Sequence, residues 1–140
     1  MVEFGTQEWL DAYRDRINAS SSYREAAATW EGALVFGFEA EPDKNWPETR
    51  WALLDLWHGE CREAREADEA EADATPFLIR APYTRWKQVM RKELDPIKGM
   101  MQGKQRLRGD LPTIVRYVKA SHELVNLAAE IPTSFPDEQG

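Results

Sequence analysis

The chain has 140 residues and a formal net charge of −7, which argues against general nucleic-acid binding because neutralising phosphates needs a basic face. Cys61 is the only cysteine, so no intrachain disulfide can form, and a reducing cytoplasm is the expected location. No apolar run approaches the roughly 20 residues of a membrane-spanning helix, and the length predicts one domain over residues 1–133 with a flexible tail at 134–140.

The first half of the sequence predicts two helices followed by four strands. Thr6 can cap the first helix, and Ser22 with Glu25 forms a capping-box pattern for the second. The apolar residues of the first helix share one side: Trp9, Leu10, Tyr13 and Ile17. Alternating or continuous apolar residues then predict four strands, the second of them buried on both faces: 30–40, 50–58, 61–67 and about 70–80.

The second half predicts three helices around one short strand. A helix begins near Pro82, and Asp95 followed by Pro96 has the pattern of an N-cap and a first helical residue. Residues 104–108 alternate like a strand, and Asp110 predicts the start of a long final helix. About five strands and five helices, grouped rather than alternating, predict an α+β fold in which helices cover a five-stranded mixed sheet.

The final helix carries two apolar stripes, of which one is expected to pack on the core. The first stripe consists of Leu111, Val115, Val118, His122, Val125 and Ala129. The second stripe consists of Tyr117, Leu124, Leu127 and Ile131. Because an apolar surface without a partner marks an interaction site, the second stripe predicts a homodimer contact or docking to another protein. One hypothesis for the function is therefore an accessory or dimerisation module that supports a separate enzyme.

The segment from Asp95 to Leu111 is the most distinctive in the chain and reads DPIKGMMQGKQRLRGDL. It resembles the signature of the sterol carrier protein (SCP-2 sterol transfer) family, in which a short Met-rich helix precedes a glycine, a strand, a Gly-Asp pair and a helix. The resemblance extends over Trp9 to Thr133, with residues 72–75 resembling the strand before the middle helix of the family. It implies a sterol-carrier-like α+β fold with an apolar cavity between sheet and helices.

The same resemblance implies non-catalytic binding and transfer of a hydrophobic ligand in an internal apolar tunnel. Fatty acids, acyl-CoA, sterols and isoprenoid-like lipids are the candidate ligands. Methionine suits such a tunnel because its unbranched thioether adapts to ligands of different shape. The expected lining residues are Phe36, Phe38, Leu54, Leu56, Phe77, Ile79, Trp86, Val89, Met90, Ile97, Met100, Met101, Leu107, Ile114 and Val118.

A cationic segment interrupts the acidic chain between Arg85 and Arg108, where 8 basic and 2 acidic side chains occur. Its basic members are Arg85, Lys87, Arg91, Lys92, Lys98, Lys104, Arg106 and Arg108. Such a segment either forms an ordinary solvated face or attracts anions, including the headgroups of an anionic membrane.

A catalytic role finds little support in the sequence. His58 and Cys61 suggest a base beside a nucleophilic thiol, but residues three apart on an extended chain face opposite sides unless Gly59 turns the segment. Two candidate ligands fall short of the four that zinc typically takes, so neither a metal nor a cofactor is expected. We therefore expect a protein that is not an enzyme.

Overall fold

The computed structural model describes residues 1–138, which form one five-stranded sheet, a two-stranded sheet and seven α-helices. The strands are β1 (Val2–Glu3), β2 (Glu31–Glu39), β3 (Arg50–Trp57), β4 (Glu60–Ala67), β5 (Phe77–Pro82), β6 (Arg106–Arg108) and β7 (Thr133–Ser134). The helices are α1 (Gln7–Ala19), α2 (Ser21–Ala26), α3 (Glu69–Ala74), α4 (Tyr83–Met90), α5 (Pro96–Met101), α6 (Leu111–Arg116) and α7 (Val118–Glu130). Two short 3₁₀ helices lie at Pro42–Lys44 and Pro136–Glu138.

The large sheet is mixed, as predicted, with the strand order β4-β3-β2-β5-β6. β2 and β5 run parallel, whereas the other neighbouring strands are antiparallel. β3 and β4 form a hairpin because His58 and Gly59 both adopt positive φ angles, 50° and 83°, as the two central residues of a type I′ turn require. The hairpin places β4 at one edge of the sheet, and the short β6 forms the other edge.

Both faces of the sheet are covered. The main core lies between the sheet and most of the helices and includes Leu34, Phe38 and Leu54. Val35 and Leu78 point to the opposite face, where they pack with Ala72 of α3 in a smaller apolar cluster. β3 contributes Leu54 to the main core and Leu53 to the smaller cluster, which confirms that this strand is buried on both sides.

The strand predicted at residues 70–80 is wrong over its first half. Asp68 accepts a hydrogen bond from Glu71 N at 2.8 Å, and the Glu71 carboxylate in turn accepts one from Asp68 N at 3.3 Å, which together make a capping box. The following alanines and glutamates are strong helix formers, so the segment that resembled a strand forms α3 instead. β5 begins only after Pro76, which cannot donate a hydrogen bond to a neighbouring strand.

The long helix predicted after Asp110 is broken at Tyr117, where α6 ends and α7 begins. Tyr117 packs edge-on against Trp30, with ring centroids 5.0 Å apart, and its hydroxyl lies 2.9 Å from Thr29 Oγ1. α7 packs against α1, α2, α4 and α5 and directs its apolar face into the core between them.

The two stripes of the final helix therefore exchange their predicted roles. Leu124 and Leu127 are buried in the main core together with Ile131, and Tyr117 is packed against it. Val115 and Val118 of the other stripe are exposed. The homodimer or docking surface predicted on the second stripe is wrong, because those side chains are already covered by other helices of the same chain.

The last described residues are anchored to the body of the protein, although the sequence predicts a flexible tail at 134–140. β7 pairs in parallel with β1, and the Phe135 side chain is only 6% exposed. Asp137 accepts hydrogen bonds from the Tyr83 hydroxyl at 2.6 Å and from Lys87 Nζ at 2.7 Å. The tail prediction is thus wrong for 134–138, since an aromatic side chain and an ion pair hold this segment. Residues 139 and 140 lie outside the described part of the chain.

Candidate ligand cavity

An apolar cavity of about 90 Å³ lies between the large sheet and the helices. Its wall is formed by Phe4, Trp9, Tyr13, Leu34, Phe36, Phe38, Ile79, Trp86, Val89, Met90, Pro96, Met100, Gln105, Ile114, Ser121, Leu124, Val125 and Ala128. None of these lining residues is acidic, basic or a histidine. The cavity therefore offers an environment suited to a hydrocarbon group rather than to an ion.

The sheet side of the cavity follows from the alternation of a β-strand. Leu34, Phe36 and Phe38 are two residues apart on β2, so their side chains project to the same face. Ile79 extends this wall from β5, where it is the registered neighbour of Phe36. Phe36 and Phe38 both pack against the Trp86 ring, with centroids 5.0 and 5.2 Å away.

The helical side follows from the period of the α-helix. Trp86, Val89 and Met90 on α4 are spaced so that they share one face of the helix. The Trp86 indole donates a hydrogen bond to Gly37 O at 2.9 Å, which ties α4 to β2 beside the cavity. α7 closes another side with the face that contains Leu124 and Ala128.

The residues expected from the sequence to bind a ligand divide into two groups. Those that line the cavity are Phe36, Phe38, Ile79, Trp86, Val89, Met90, Met100 and Ile114. Those that do not line it are Leu54, Leu56, Phe77, Ile97, Met101, Leu107 and Val118. Leu54 and Leu56 are sealed in the core, Phe77 packs against Trp30, and Met101 and Val118 are exposed to solvent.

Sequence reasoning missed ten lining residues: Phe4, Trp9, Tyr13, Leu34, Pro96, Gln105, Ser121, Leu124, Val125 and Ala128. Leu34 has the same strand parity as Phe36 and Phe38, so the alternation could have identified it. Trp9 and Tyr13 share one face of α1, but nothing local shows that this face reaches the cavity. Strand alternation places Gln105 on the same face as Leu107, but a polar residue in a charged strand is normally exposed, so Gln105 was not expected in the wall.

A surface groove adjoins the cavity at the N-terminus of α5. The groove and the cavity share Pro96 and Val125 in their walls. Asp95 caps α5 as predicted, accepting hydrogen bonds from Ile97 N at 2.9 Å and Lys98 N at 3.1 Å. Its other carboxylate oxygen lies 2.8 Å from His122 Nε2 on α7, so one side chain links the two helices that flank the groove.

The charge of Asp95 is stabilised by this position. Burial by itself would raise the pKa of the carboxyl group, but the backbone N–H of Lys98 and the His122 ring offset that effect and hold the pKa below its usual value. The carboxylate therefore stays ionised at neutral pH. It maintains both the cap of α5 and the contact with α7.

The cationic segment of residues 85–108 is partly neutralised by acidic partners. Lys87 Nζ lies 2.7 Å from Asp137 Oδ2, and Arg106 forms an ion pair with Glu39. Each of these pairs ties a basic side chain to a different part of the fold. The exposed lysines of the segment are Lys92, Lys98 and Lys104.

His58 and Cys61 do not form a catalytic pair. The His58 ring stacks on Trp57, and its Nε2 lies 2.5 Å from a carboxylate oxygen of the exposed Glu31. Cys61 is only 1% exposed, and its thiol donates a hydrogen bond to Glu63 O at 3.3 Å. Burial raises the pKa of the Cys61 thiol to about 12, so the reactive thiolate is scarce at neutral pH.

The part of the chain that the structure describes contains neither a metal site nor a membrane-spanning helix. Residues 1–138 contain no group of three or more His, Cys, Asp or Glu side chains arranged to hold a metal ion. Within the same residues, no helix combines the length and apolarity needed to cross a membrane.

Comparisons with known proteins place this arrangement in a family. The sequence profile of the SCP-2 sterol transfer family matches residues 10–120. A crystal structure of sterol carrier protein 2 is 35% identical, with a TM-score of 0.82 over 91% of this chain and 98% of that one. The solution structure of a conserved hypothetical protein from Thermus thermophilus is 34% identical, with a TM-score of 0.84 over 96% of this chain and 93% of the other.

A more distant structure shares the fold at low identity. Sterol carrier protein 2 from Yarrowia lipolytica, in its apo form, is 15% identical with a TM-score of 0.59 over 86% of this chain and 89% of that one. No curated protein matches this chain in sequence. The profile match spans most of the chain, and two structures more than 30% identical share its α+β fold. The chain belongs to the SCP-2 sterol transfer family.

Proposed function

We propose that this protein binds and carries a hydrophobic ligand in the cavity between its sheet and helices, without catalysing a reaction on that ligand. The observation that carries the proposal is an apolar cavity whose wall contains no charged residue, in a member of a sterol transfer family. An ionised metabolite would lose its hydration there without gaining a counter-ion. A hydrocarbon chain or ring system would lose only unfavourable contact with water.

The size of the cavity determines whether its walls must move to admit a long ligand. About 90 Å³ is well below the roughly 300 Å³ of the smallest typical ligand pockets, so a long acyl chain needs the walls to move. Each additional CH₂ group that becomes buried contributes about 0.8 kcal/mol, which favours expansion for a long ligand. Met90 and Met100 are suited to this change, because their flexible side chains repack more readily than branched ones.

α5 is the part of the wall best suited to move. It has only six residues, and a helix of that length is unstable without its cap and its packing. Ile97 is buried, but Met101 on the same helix is 69% exposed, so α5 is held to the body along one side only. We infer that ligands enter beside α5, through the groove that Asp95 and His122 bridge.

The polar groups near the cavity support a non-catalytic role. The Tyr13 hydroxyl donates a hydrogen bond to Leu124 O at 2.8 Å, and burial raises the pKa of Tyr13 well above its usual value. It therefore stays neutral and already has a partner, which makes it a poor acid or base near neutral pH. Cys61 is likewise neutral and lies outside the cavity wall.

The first test of this function is to identify what the purified protein contains. Native mass spectrometry followed by organic extraction is expected to release an apolar compound, such as an acyl, sterol or isoprenoid lipid. Stripped protein is then titrated with Nile red, a neutral dye that fluoresces in apolar sites, and a dansylated fatty acid. Saturable binding of either probe supports the proposal. An empty protein that also fails to bind both probes contradicts it.

Contact with an anionic membrane stays a prediction. The exposed Lys92, Lys98 and Lys104 are the members of the cationic segment that such a contact would use. Lys92 also lines the groove beside α5, so a membrane bound at these lysines would face the inferred entrance. This arrangement would let a lipid pass from the membrane to the cavity with little exposure to water.

A further inference from the structure

Gln105 is the one residue with an amide or charged side chain that is buried within residues 1–138. Only 1% of it is exposed, and it forms part of the cavity wall together with Met100 and Ile114. The local backbone holds it in place, because Gly99 O accepts hydrogen bonds from Lys104 N at 2.8 Å and from Gln105 N at 3.0 Å. Its position is therefore a consequence of the turn between α5 and β6.

The Gln105 side-chain oxygen has no hydrogen-bond donor among the described residues. A buried acceptor without a partner destabilises a folded protein, since the same oxygen would be hydrogen-bonded by water after unfolding. A leucine at this position would avoid that cost. An unsatisfied buried polar group in a native protein therefore calls for a functional explanation.

Two other polar groups in the cavity wall, the Tyr13 hydroxyl and the Trp86 indole, differ from Gln105 because they already have partners. The Tyr13 hydroxyl donates to Leu124 O, and the Trp86 indole donates to Gly37 O. These donors are consequently unavailable to a ligand. Gln105 Oε1 instead has no partner and lies close to Gly99 within the cavity wall, so a rotation of the side chain would present an unused lone pair to a ligand with a hydrogen-bond donor.

We propose that Gln105 is the residue that determines ligand specificity, accepting a hydrogen bond from a neutral hydroxyl group on an otherwise apolar ligand. This inference rests on the proposed function and narrows the ligand class to alcohols, including long-chain and cyclic ones. An ionised fatty acid is disfavoured, because the wall supplies no cation to replace its hydration.

The test compares three eight-carbon compounds for their ability to displace Nile red. n-Octanol carries a hydroxyl donor, its isomer heptyl methyl ether carries only an acceptor, and octanoate carries a charge. The wild-type protein is expected to bind n-octanol about tenfold more tightly than the ether, because only the alcohol satisfies Gln105 Oε1. It is also expected to prefer n-octanol to octanoate at neutral pH.

Two substitutions remove the acceptor. Gln105→Leu and Gln105→Met should bind the alcohol and the ether about equally and should melt at a higher temperature without ligand, because the unsatisfied oxygen is gone. Gly99→Ala acts indirectly, since a Cβ at residue 99 would lie 2.8 Å from Gln105 Oε1 and displace it. We expect it to reduce the preference for the alcohol as well.

The matched control is Gln88→Leu, which makes the same change outside the cavity. Gln88 Oε1 accepts a hydrogen bond from Arg85 at 3.1 Å, so its loss should leave the preference for n-octanol unchanged. An equal preference for the alcohol in wild-type, Gln105→Leu and Gln105→Met proteins would overturn the role of Gln105 while leaving the carrier function standing. A wild-type protein that binds neither Nile red nor any of the three compounds would overturn the carrier function itself.

Discussion

Replacing Ala128 with leucine tests whether the ligand occupies the cavity. Ala128 is 5% exposed on α7 and lines the cavity, so the three carbon atoms that leucine adds would project into it. They would occupy much of the space that the cavity of about 90 Å³ offers to a ligand. Ligand and leucine would then compete for the same space.

The expected effect on stability is small because two contributions oppose each other. Burying three carbon atoms stabilises the fold by about 2.4 kcal/mol at about 0.8 kcal/mol each. Imperfect fit of an enlarged core side chain costs about 1–3 kcal/mol. The free energy of unfolding in urea should therefore change by no more than about 1.4 kcal/mol, whereas the affinity for Nile red should fall at least tenfold.

Ala129→Leu provides the matched control. Ala129 is the next residue of α7 and is exposed, so leucine there adds the same atoms to the surface of the same helix. Its affinity for Nile red should equal that of the wild-type protein. If Ala128→Leu folds with unchanged stability and still binds Nile red with wild-type affinity, the ligand lies elsewhere and the reasoning from the cavity is refuted.

Three other predictions concern the groove, the thiol and the C-terminal segment. Asp95→Ala removes the cap of α5 and should cost about 1 kcal/mol in urea unfolding and speed release of Nile red in stopped-flow measurements. Cys61 should not react with Ellman's reagent in the native protein at neutral pH, because burial raises its pKa to about 12. Burial opposes ionisation of Asp137, but hydrogen bonds from Lys87 and Tyr83 prevail and lower its pKa. The stability that it contributes is therefore complete above its unfolded pKa of about 3.9 and is lost as the pH falls through the lower folded value. Thermal melts at decreasing pH should show this loss as a fall in melting temperature. The fall should be smaller in Asp137→Asn than in the wild-type protein.

Each of these predictions has its own control. Asp110→Ala is compared with Asp95→Ala, because Asp110 stands at an N-cap whose side chain makes no bond to the backbone of its helix. If the two substitutions change the free energy of unfolding and the release of Nile red equally, the cap of α5 is not the cause of either change. Rapid labelling of Cys61 in folded protein would mean that this part of the sheet opens readily. If the melting temperature falls with decreasing pH by the same amount in Asp137→Asn and wild-type proteins, ionised Asp137 does not contribute to stability in acid.

Local sequence signals predicted the elements whose formation depends on nearby residues. The cap and first turn of α5 follow from Asp95 and Pro96, and the structure confirms both. The β3–β4 hairpin likewise follows from Gly59, which supplies the left-handed conformation that the turn needs. α3 shows the limit of this reasoning, because its alternating glutamates and alanines resemble a strand, whereas the capping box at Asp68 starts a helix.

The candidate site was only partly predictable for a different reason. Periodicity assigns a residue to one face of its element, and it correctly grouped Phe36 with Phe38. It does not say which part of that face borders a cavity and which part is packed solid. Leu54 shows the difference, since it is on the same side of the sheet as Phe36 and is sealed in the core.

By itself, the sequence determined the fold class and the apolar character of the interior, because composition, caps and strand alternation are properties of neighbouring residues. Its segment from Asp95 to Leu111 also resembled the signature of the family that the comparisons show. The tertiary structure alone decided three other features. It turned Leu124 and Leu127 inward, since α7 packs against α1, α2, α4 and α5, and it anchored Phe135 in the core. It also buried Gln105 in the cavity wall, because the turn at Gly99 positions a residue that polarity alone would place in solvent.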